Sequence, residues 1–325
     1  MPEVPADNLA LRRPGLAEAM GLLPLRERWR QARIALRGEE DVPPSRFDLS
    51  SLAMLRPRIA MRLWRGRPWI ERQVLLTNLF NHRQTPIADG WSVKRTQVED
   101  FRGRDLTYDS HNGTDLSIPV GTTVLTAAPG VVVQVISEFN RGGLKVFIDH
   151  GRGLMTCYAH LARALVRVGQ RLERGAPIAI SGYSGLDALV TFPFGVPHVH
   201  FNTWLNGEPV DPFAKGEEAS LWREGTPRPP PSVEEGSYEP SAWDADGVAA
   251  RIAACKTPSV RERLAAVPEL ALQAALTVIE SNYYPTRFEQ RPAMYDRRWE
   301  REQRLDLPFR PDVFDGAVFV DEPER

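Results

Sequence analysis

The spacing of apolar and polar positions divides the chain into zones of different structure. Residues 1–95 show mostly helical spacing, whereas residues 96–214 show short apolar runs separated by turn residues. Residues 215–241 are rich in Pro, Glu and Gly, which predicts a linker or an extended surface arm. Helical spacing returns in the C-terminal region, residues 242–325, whose last stretch from Tyr284 to Arg325 has no clear period. The pattern predicts an α+β chain with a β-rich domain between helical N- and C-terminal additions.

Two helical stretches are predicted in the N-terminal zone. The first has an apolar stripe formed by Leu25, Trp29, Ala32 and Leu36. It can end at Gly38, and a breaker at 41–44 separates it from a second helical stretch at about 49–80.

Residues 51–83 form a locally basic segment, with seven arginines against the single acidic residue Glu71. Trp64 and Trp69 lie within it. Such a segment can make weak contact with an anionic surface, such as lipid headgroups or wall polymers. The alternative, which we favour, is a solvated helix face with two tryptophans in the core.

The central zone has runs rich in β-branched and aromatic residues at 131–136, 144–149 and 155–160. Gly-containing turns separate these runs, which leaves no room for crossover helices. The spacing therefore predicts a central, mostly antiparallel β-sheet or barrel-like domain.

The C-terminal zone carries two helix-start signals. Thr257 precedes Pro258 as an N-cap precedes a first-turn proline, and Pro268 opens a second helix. The stripe of this second helix is Leu272, Leu276, Ile279 and Tyr283.

Composition limits the classes of function and location. The 325 residues carry a formal charge of −1, which argues against a general nucleic-acid binder. No transmembrane segment is expected, and the acidic, Pro-containing start Met1–Asp7 lacks the features of a secretion signal. The location therefore stays undetermined. Cys157 and Cys255 are expected to be reduced, partly buried thiols.

Five of the six histidines lie within residues 111–200, where fewer than two would be expected by chance. His111 precedes Asp115 by four residues, with Gly113 favouring a turn or a strand edge. His198 and His200 lie on one face of a predicted strand because side chains alternate. Histidines with a carboxylate suit a catalytic zinc site, which takes three protein ligands and a water.

His160 ends the run 155–160, so strict alternation predicts that it shares a face with Tyr158 and Thr156. Cys157 is then on the opposite face, which makes it a poor nucleophile candidate. His150, at a strand end, is expected to be structural, and His82 is expected at the surface.

These motifs carry a family resemblance. The order His-x-Gly-x-Asp, Tyr-x-His-Leu and His-x-His-Phe resembles the lysostaphin-type (LytM-like) zinc endopeptidases, which cut peptide bonds in bacterial peptidoglycan. The resemblance covers about residues 105–213 and includes turn sequences such as 127–132 and 206–212. It implies a fold of the duplicated hybrid motif type, a groove-like site and attack of zinc-bound water on a scissile carbonyl.

The resemblance also implies roles for five residues. By position, His111, Asp115 and His200 would bind one Zn²⁺, and His160 and His198 would act on water and the transition state. The order of their roles as general base and transition-state donor stays open. Stem or cross-bridge peptides of peptidoglycan would be the substrate, which implies a periplasmic or extracellular place of action.

This sequence departs from the family pattern beside the site. The usual Ser-Thr-Gly-Pro lead is replaced by Phe194–Pro197, residues 186–196 form a remodelled loop, and Asn202 replaces a Glu. Tyr108 lies upstream of the first ligand, but its spacing does not assign it to the site. Two alternatives stay open. One is a catalytically silent zinc-site scaffold that binds wall peptides or activates a partner hydrolase. The other is a histidine phosphocarrier, which needs no Asp ligand.

Overall fold

The computed structural model describes residues 12–231 and 238–322. The Met1–Asp7 start and part of the Pro-rich segment lie outside these ranges. The α-helices are α1 Leu16–Ala19, α2 Leu25–Arg37, α3 Pro57–Trp64, α4 Leu186–Thr191, α5 Ala245–Ala253, α6 Pro258–Ala265 and α7 Leu270–Tyr283. In the described ranges, every helix is too short or too polar to cross a membrane.

The strands form one large, branched sheet. They are β1 Gln73–Asn78, β2 Thr114–Ser117, β3 Thr123–Leu125, β4 Gly130–Glu138, β5 Gly143–Asp149, β6 Leu154–Ala164, β7 Arg171–Leu172, β8 Pro177–Ser181, β9 His198–Leu205, β10 Glu208–Val210 and β11 Gly316–Phe319. The main path is β11-β1-β2-β9-β6-β5-β4-β7, with β8 joining β6 to β3 and β10 beside β9. The pairs are antiparallel except β11 with β1.

The predicted β-rich centre and antiparallel pairing are confirmed. The three predicted runs at 131–136, 144–149 and 155–160 lie within β4, β5 and β6. The α+β class with helices near both ends is confirmed as well.

The expectation of a helical stretch at about 49–80 is wrong at Gln73–Asn78, which forms β1. Gly316–Phe319, in the stretch without a clear period, forms β11. The run Val74–Leu76 is apolar and buried, and it pairs with β2 on one side and β11 on the other. A short apolar run fits a buried strand as well as a helix, so periodicity could not separate the two.

The helix predicted to end at Gly38 is present as α2, but Ala32 is the one residue of its predicted apolar stripe that is buried. Trp29 is 71% exposed, and Leu25 and Leu36 are also exposed. The buried face instead contains Gln31, whose side-chain oxygen accepts from Phe139 N at 2.7 Å. The helix docks on the end of β4 through polar contacts, which leaves its large apolar residues in solvent.

Trp64 and Trp69 are partly buried against the apolar cluster that contains Ile59, Leu63 and Leu75. This packing agrees with the interpretation of two core tryptophans. Contact of the basic segment 51–83 with an anionic surface stays a prediction.

The C-terminal helices cover one face of the sheet. The predicted helix starts are confirmed closely: α6 begins at Pro258 after Thr257, and α7 begins two residues after Pro268. Thr257 does not cap α6 with its side chain, which donates to Asp41 Oδ2 at 2.8 Å instead. Both cysteines are free, and both are fully buried rather than partly buried.

The residues just before β11 are part of the central core. Leu305, Leu307, Phe309 and Phe314 are buried in the same cluster as Tyr158 and Phe201. Two backbone hydrogen bonds, from Leu125 N to Pro308 O and from Asp306 N to Ala127 O, join this segment to β3 and its following turn. The C-terminal segment therefore contributes to the stability of the β-rich domain.

Replacing Leu307 with Ala should lower the free energy of unfolding by about 2–5 kcal/mol, because the substitution removes a fully buried side chain. Chemical denaturation measures this. Val313→Ala is the matched control in the same segment, since Val313 is exposed, and should change stability by about 0.5 kcal/mol or less. Equal effects of the two substitutions would show that the segment does not share the core.

Candidate metal centre

Three potential ligand atoms converge in the structure. His111 Nε2 lies 3.1 Å from Asp115 Oδ1 and 3.2 Å from His200 Nδ1. His200 Nδ1 lies 2.9 Å from the same Asp115 oxygen. Among the described residues these three side chains form a group able to hold a metal ion.

Strand pairing brings two of these side chains together. Asp115 on β2 is the direct cross-strand partner of His200 on β9, so both point to the same face. Gly113 lets the turn before β2 approach this pair, because a Cβ there would lie only 2.8 Å from His200 Nε2. The Gly of the His-x-Gly-x-Asp motif is therefore required for close approach.

Further hydrogen bonds orient two of the ligands. His111 Nδ1 donates to the Leu79 carbonyl at 2.6 Å, which leaves the Nε2 lone pair toward Asp115 and His200. Asn78 donates to Asp115 Oδ2 at 2.8 Å and leaves Oδ1 for the centre. Such outer partners fix the tautomer and orientation of metal ligands.

The donor set fits zinc. Two imidazole nitrogens and a carboxylate oxygen are ligands that Zn²⁺ takes in proteins. Tetrahedral coordination with bonds of about 2.0–2.1 Å requires ligand atoms about 3.3 Å apart. The separations of 2.9–3.2 Å between the three atoms lie close to that value.

His198 and His160 stand beside this group. His198 Nδ1 donates to the Val196 carbonyl at 2.7 Å, and its Nε2 lies 3.4 Å from Asp115 Oδ1. His160 Nδ1 donates to the Ser184 carbonyl at 2.8 Å. Since each imidazole donates from Nδ1, its Nε2 remains free to accept a proton or hydrogen bond.

The predicted face of His160 is wrong. Ala159 is the residue paired with His200, so strict alternation would turn His160 away from that histidine. The backbone of His160 is instead left-handed, with φ 60°, beside a register shift between β5 and β6. This irregularity brings the His160 ring to within 4.7 Å of the His198 ring, centroid to centroid.

Gly143 supports this arrangement. Leu144 N donates to Ser184 Oγ at 2.9 Å, and a Cβ at Gly143 would collide with the Ser184 backbone. This tight contact holds the Ser184 carbonyl in the position where it accepts the hydrogen bond from His160 Nδ1.

Burial and neighbouring groups set the charges at the site. Burial opposes ionisation of Asp115, but the nearby imidazoles of His198 and His111 outweigh burial and hold its pKa well below the ordinary value. Burial lowers the pKa of His200. Burial and the nearby His198 and His200 lower the pKa of His160 well below its ordinary value. At neutral pH the centre therefore presents an ionised carboxylate and neutral imidazoles at His160 and His200.

Two tyrosines lie at the site. The Tyr108 ring is 4.4 Å from that of His111, which places near the centre the tyrosine that sequence spacing could not assign. The Tyr183 ring lies 5.2 Å from His198 and 5.6 Å from His160. Burial raises the pKa of both phenols, so both keep their proton at neutral pH.

Asn202, at the position where the resembling family has Glu, braces the first ligand turn. Its amide nitrogen donates to the Asn112 carbonyl at 2.9 Å, and its oxygen accepts from Tyr283 OH at 3.2 Å. Tyr283 also contacts Cys157 Sγ at 3.2 Å. Burial raises the pKa of Cys157 to about 12, so the thiol is a poor nucleophile for a reason other than its face.

The remodelled loop at 186–196 forms α4 and a turn beside the site. Leu189, Val190, Phe192 and Phe194 are its exposed apolar side chains. Phe192 packs edge-on against Trp64, with ring centroids 5.2 Å apart. The carbonyl that orients His198 belongs to Val196, the last residue of this loop.

The remaining histidines lie outside the centre. His150 is buried between the Pro129 carbonyl and Thr156 Oγ1, and burial lowers its pKa to about 3. His82, expected at the surface, is largely covered and lies 2.8 Å from Asp211 Oδ2.

Sequence reasoning missed Asn78 and Tyr183. Asn78 lies in the segment expected to be helical, and nothing local marks it as a partner of Asp115. Tyr183 lies in a Gly-Tyr-Ser-Gly turn after β8. Such a sequence is typical of a loop, and nothing in it indicates an approach to His160.

Comparison with known proteins agrees with this centre. Residues 109–212 match the model of peptidase family M23. A peptidoglycan DD-endopeptidase of Vibrio cholerae, ShyA, is 42% identical over 101 residues, which are 31% of this chain and 22% of that protein. An uncharacterized metalloprotease of Haemophilus influenzae is 36% identical over 103 residues, 32% of this chain and 20% of that protein.

A solved structure is also similar. The catalytic domain of lysostaphin from Staphylococcus simulans shares 27% identity, with a TM-score of 0.28, over 32% of this chain and 77% of that domain. The chain spans about a fifth of the length of the two relatives above. Residues 109–212, the segment that matches peptidase family M23, supply the three convergent ligand atoms.

Proposed function

We propose that this protein is a zinc-dependent endopeptidase that cleaves peptide bonds in bacterial peptidoglycan. The observation that carries the proposal is the convergence of His111, Asp115 and His200 with two further imidazoles beside them. The names of the relatives support the substrate, since ShyA is called a peptidoglycan DD-endopeptidase.

His111, Asp115 and His200 would hold the metal. When bound, zinc supplies a Lewis acid that lowers the pKa of a coordinated water from 15.7 to about 7. The Asp115 carboxylate stays ionised and offsets part of the positive charge of the ion. The carbonyl of Leu79 and the amide of Asn78 keep two of the ligands oriented.

His160 and His198 would handle protons and developing charge. Both carry their ring proton on Nδ1, held by a backbone carbonyl, and so present Nε2 as an acceptor. One accepts a proton from the attacking water, and the other, once protonated, donates to the tetrahedral oxyanion. The protonated phenols of Tyr108 and Tyr183 are further donors beside the same position.

Substitution of a ligand should remove the metal. His200→Ala takes away one of three protein ligands, so the purified protein should lose stoichiometric zinc, as measured by inductively coupled plasma mass spectrometry. His82→Ala is the control, since His82 lies outside the centre and pairs with Asp211, and it should retain zinc. Full zinc occupancy in His200→Ala would contradict the assignment of this ligand.

Substitution of a proton-handling histidine should separate metal binding from turnover. His160→Ala should retain zinc and lose about 10²–10⁴-fold in rate, because it removes a proton-transfer group without removing a ligand. The assay is release of new amine termini from purified peptidoglycan. Loss of zinc from this variant would show that His160 belongs to the metal ligands.

The wild-type protein tests the alternative function. A catalytically silent scaffold would bind stoichiometric zinc and release no amine termini from peptidoglycan or from varied wall peptides. That result would contradict the endopeptidase proposal while leaving the metal centre intact.

A further inference from the structure

Arg141 lies in the turn between β4 and β5, next to the centre. Its neighbour Gly142 accepts a hydrogen bond from His160 N at 2.8 Å. The backbone of Arg141 therefore lies one residue from a backbone contact of a histidine assigned to the reaction. The resemblance to known peptidases assigned no role to this arginine.

The hydrogen bonds of Arg141 use only one edge of the guanidinium. Nη1 donates to Ser45 Oγ at 3.2 Å and to the Asn140 carbonyl at 3.3 Å. Nε is buried and has no partner, and Nη2 makes no hydrogen bond with the described residues. Nη2 therefore keeps a donor for a carboxylate, with which a guanidinium makes strong charge-assisted hydrogen bonds.

Arg141 differs from the other arginines that have a buried Nε without a hydrogen-bond partner. Five more have a buried Nε without a partner, and each has a carboxylate oxygen within 4.0 Å. They are Arg95, Arg152, Arg174, Arg287 and Arg291. Within residues 12–231 and 238–322, Arg141 has no carboxylate at that distance.

The nearest acidic groups leave Arg141 available. Glu138 pairs with Lys145 Nζ at 2.6 Å and accepts from Tyr284 OH at 2.9 Å. Burial lowers the pKa of Arg141, while Tyr284, Asp187 and Glu138 act in the opposite direction. Arginine stays charged even so, and a buried cation without an ion-pair partner is unfavourable.

Aromatic rings flank the guanidinium. Its central carbon lies 5.5 Å from the Trp91 ring and 5.9 Å from the Tyr284 ring. Ser45 and Trp91 come from the N-terminal addition, and Tyr284 follows the C-terminal helix α7. Both additions therefore build the surroundings of this arginine, which remains partly open to solvent.

We propose that Arg141 forms a subsite that binds a carboxylate of the wall peptide beside the metal centre. The inference rests on the proposed function for the identity of the peptide. The carboxylate is either the free C-terminus of a stem peptide or the side-chain carboxylate of one of its residues. Nη2, which makes no hydrogen bond with the described residues, makes the charge-assisted contact, and Trp91 and Tyr284 limit the approach of water.

The test compares acidic and amidated ligands. Soluble cross-linked wall peptides are prepared with free carboxylates, with the C-terminal carboxylate amidated, and with the side-chain carboxylate amidated. Loss of one charge-assisted hydrogen-bonded pair lowers kcat/KM by about 10- to 100-fold. Wild-type kcat/KM should fall by that factor for one of the two amidated forms, which identifies the carboxylate that binds.

Variants connect this preference to Arg141. Arg141→Gln should lower kcat/KM for the free acid to the level of the discriminated amide and leave the amide unchanged. Arg141→Lys keeps the charge without the fork and should recover part of the preference. Arg67→Gln, at an exposed arginine, is the matched control and should behave as wild type. Zinc content and melting temperature establish that each variant is folded.

A binding measurement separates this inference from the endopeptidase proposal. Calorimetry with the uncross-linked product peptides, as acids and amides, needs no cleavage. Tighter binding of the acid by wild type, lost in Arg141→Gln, would support the subsite even if no bond were cut. Equal binding of acid and amide, undetectable binding of both at millimolar concentration, or a preference that survives Arg141→Gln would overturn it.

Discussion

The arrangement of the whole site depends on one buried oxygen, Oδ1 of Asp115. It lies within 3.4 Å of nitrogens from three imidazoles, and the carboxylate is almost completely shielded from solvent. A buried charge is tolerated only when it is paired and hydrogen-bonded. The structure meets this need with Asn78 on one oxygen and the histidines on the other. A divalent cation at the same point would complete the compensation.

This requirement accounts for features that are distant in sequence. The β2–β9 register must place Asp115 opposite His200, and Gly113 must allow the first turn to come close. Strand β1 must run beside β2 to supply Asn78. Because β1 also pairs with β11, a strand near the C-terminus supports the strand that orients the ligand. The flanking segments are thus structurally continuous with the segment that matches family M23.

The additions also shape what surrounds the centre. Tyr283 on α7 holds the Asn202 brace of the first ligand turn. Ser45, Trp91 and Tyr284 enclose Arg141. Substrate selection by this protein would then depend on residues outside the matched segment, which relatives sharing only that segment need not possess.

Local pattern predicted the central strands because their β-branched runs and glycine turns are short-range signals. The face shared by His198 and His200 followed from alternation, and the motifs identified the convergent group. The His160 face could not be predicted because its left-handed backbone breaks alternation. The Gln73–Asn78 strand could not be predicted because its pairing with β11 spans most of the chain. The exposure of the large apolar side chains of α2 could not be predicted either. Gln31 docks this helix through a polar contact, and the spacing of apolar residues gives no information about such contacts.

The most direct test of the metal centre is an anomalous difference map from crystals of the zinc-loaded protein, measured on both sides of the zinc absorption edge. The account predicts one dominant peak bonded to His111 Nε2, Asp115 Oδ1 and His200 Nδ1 at about 2.0–2.2 Å. His160 and His198 should lie beyond bonding distance of that peak. A zinc ion ligated by His160 or His198, or bound away from Asp115, would contradict the account.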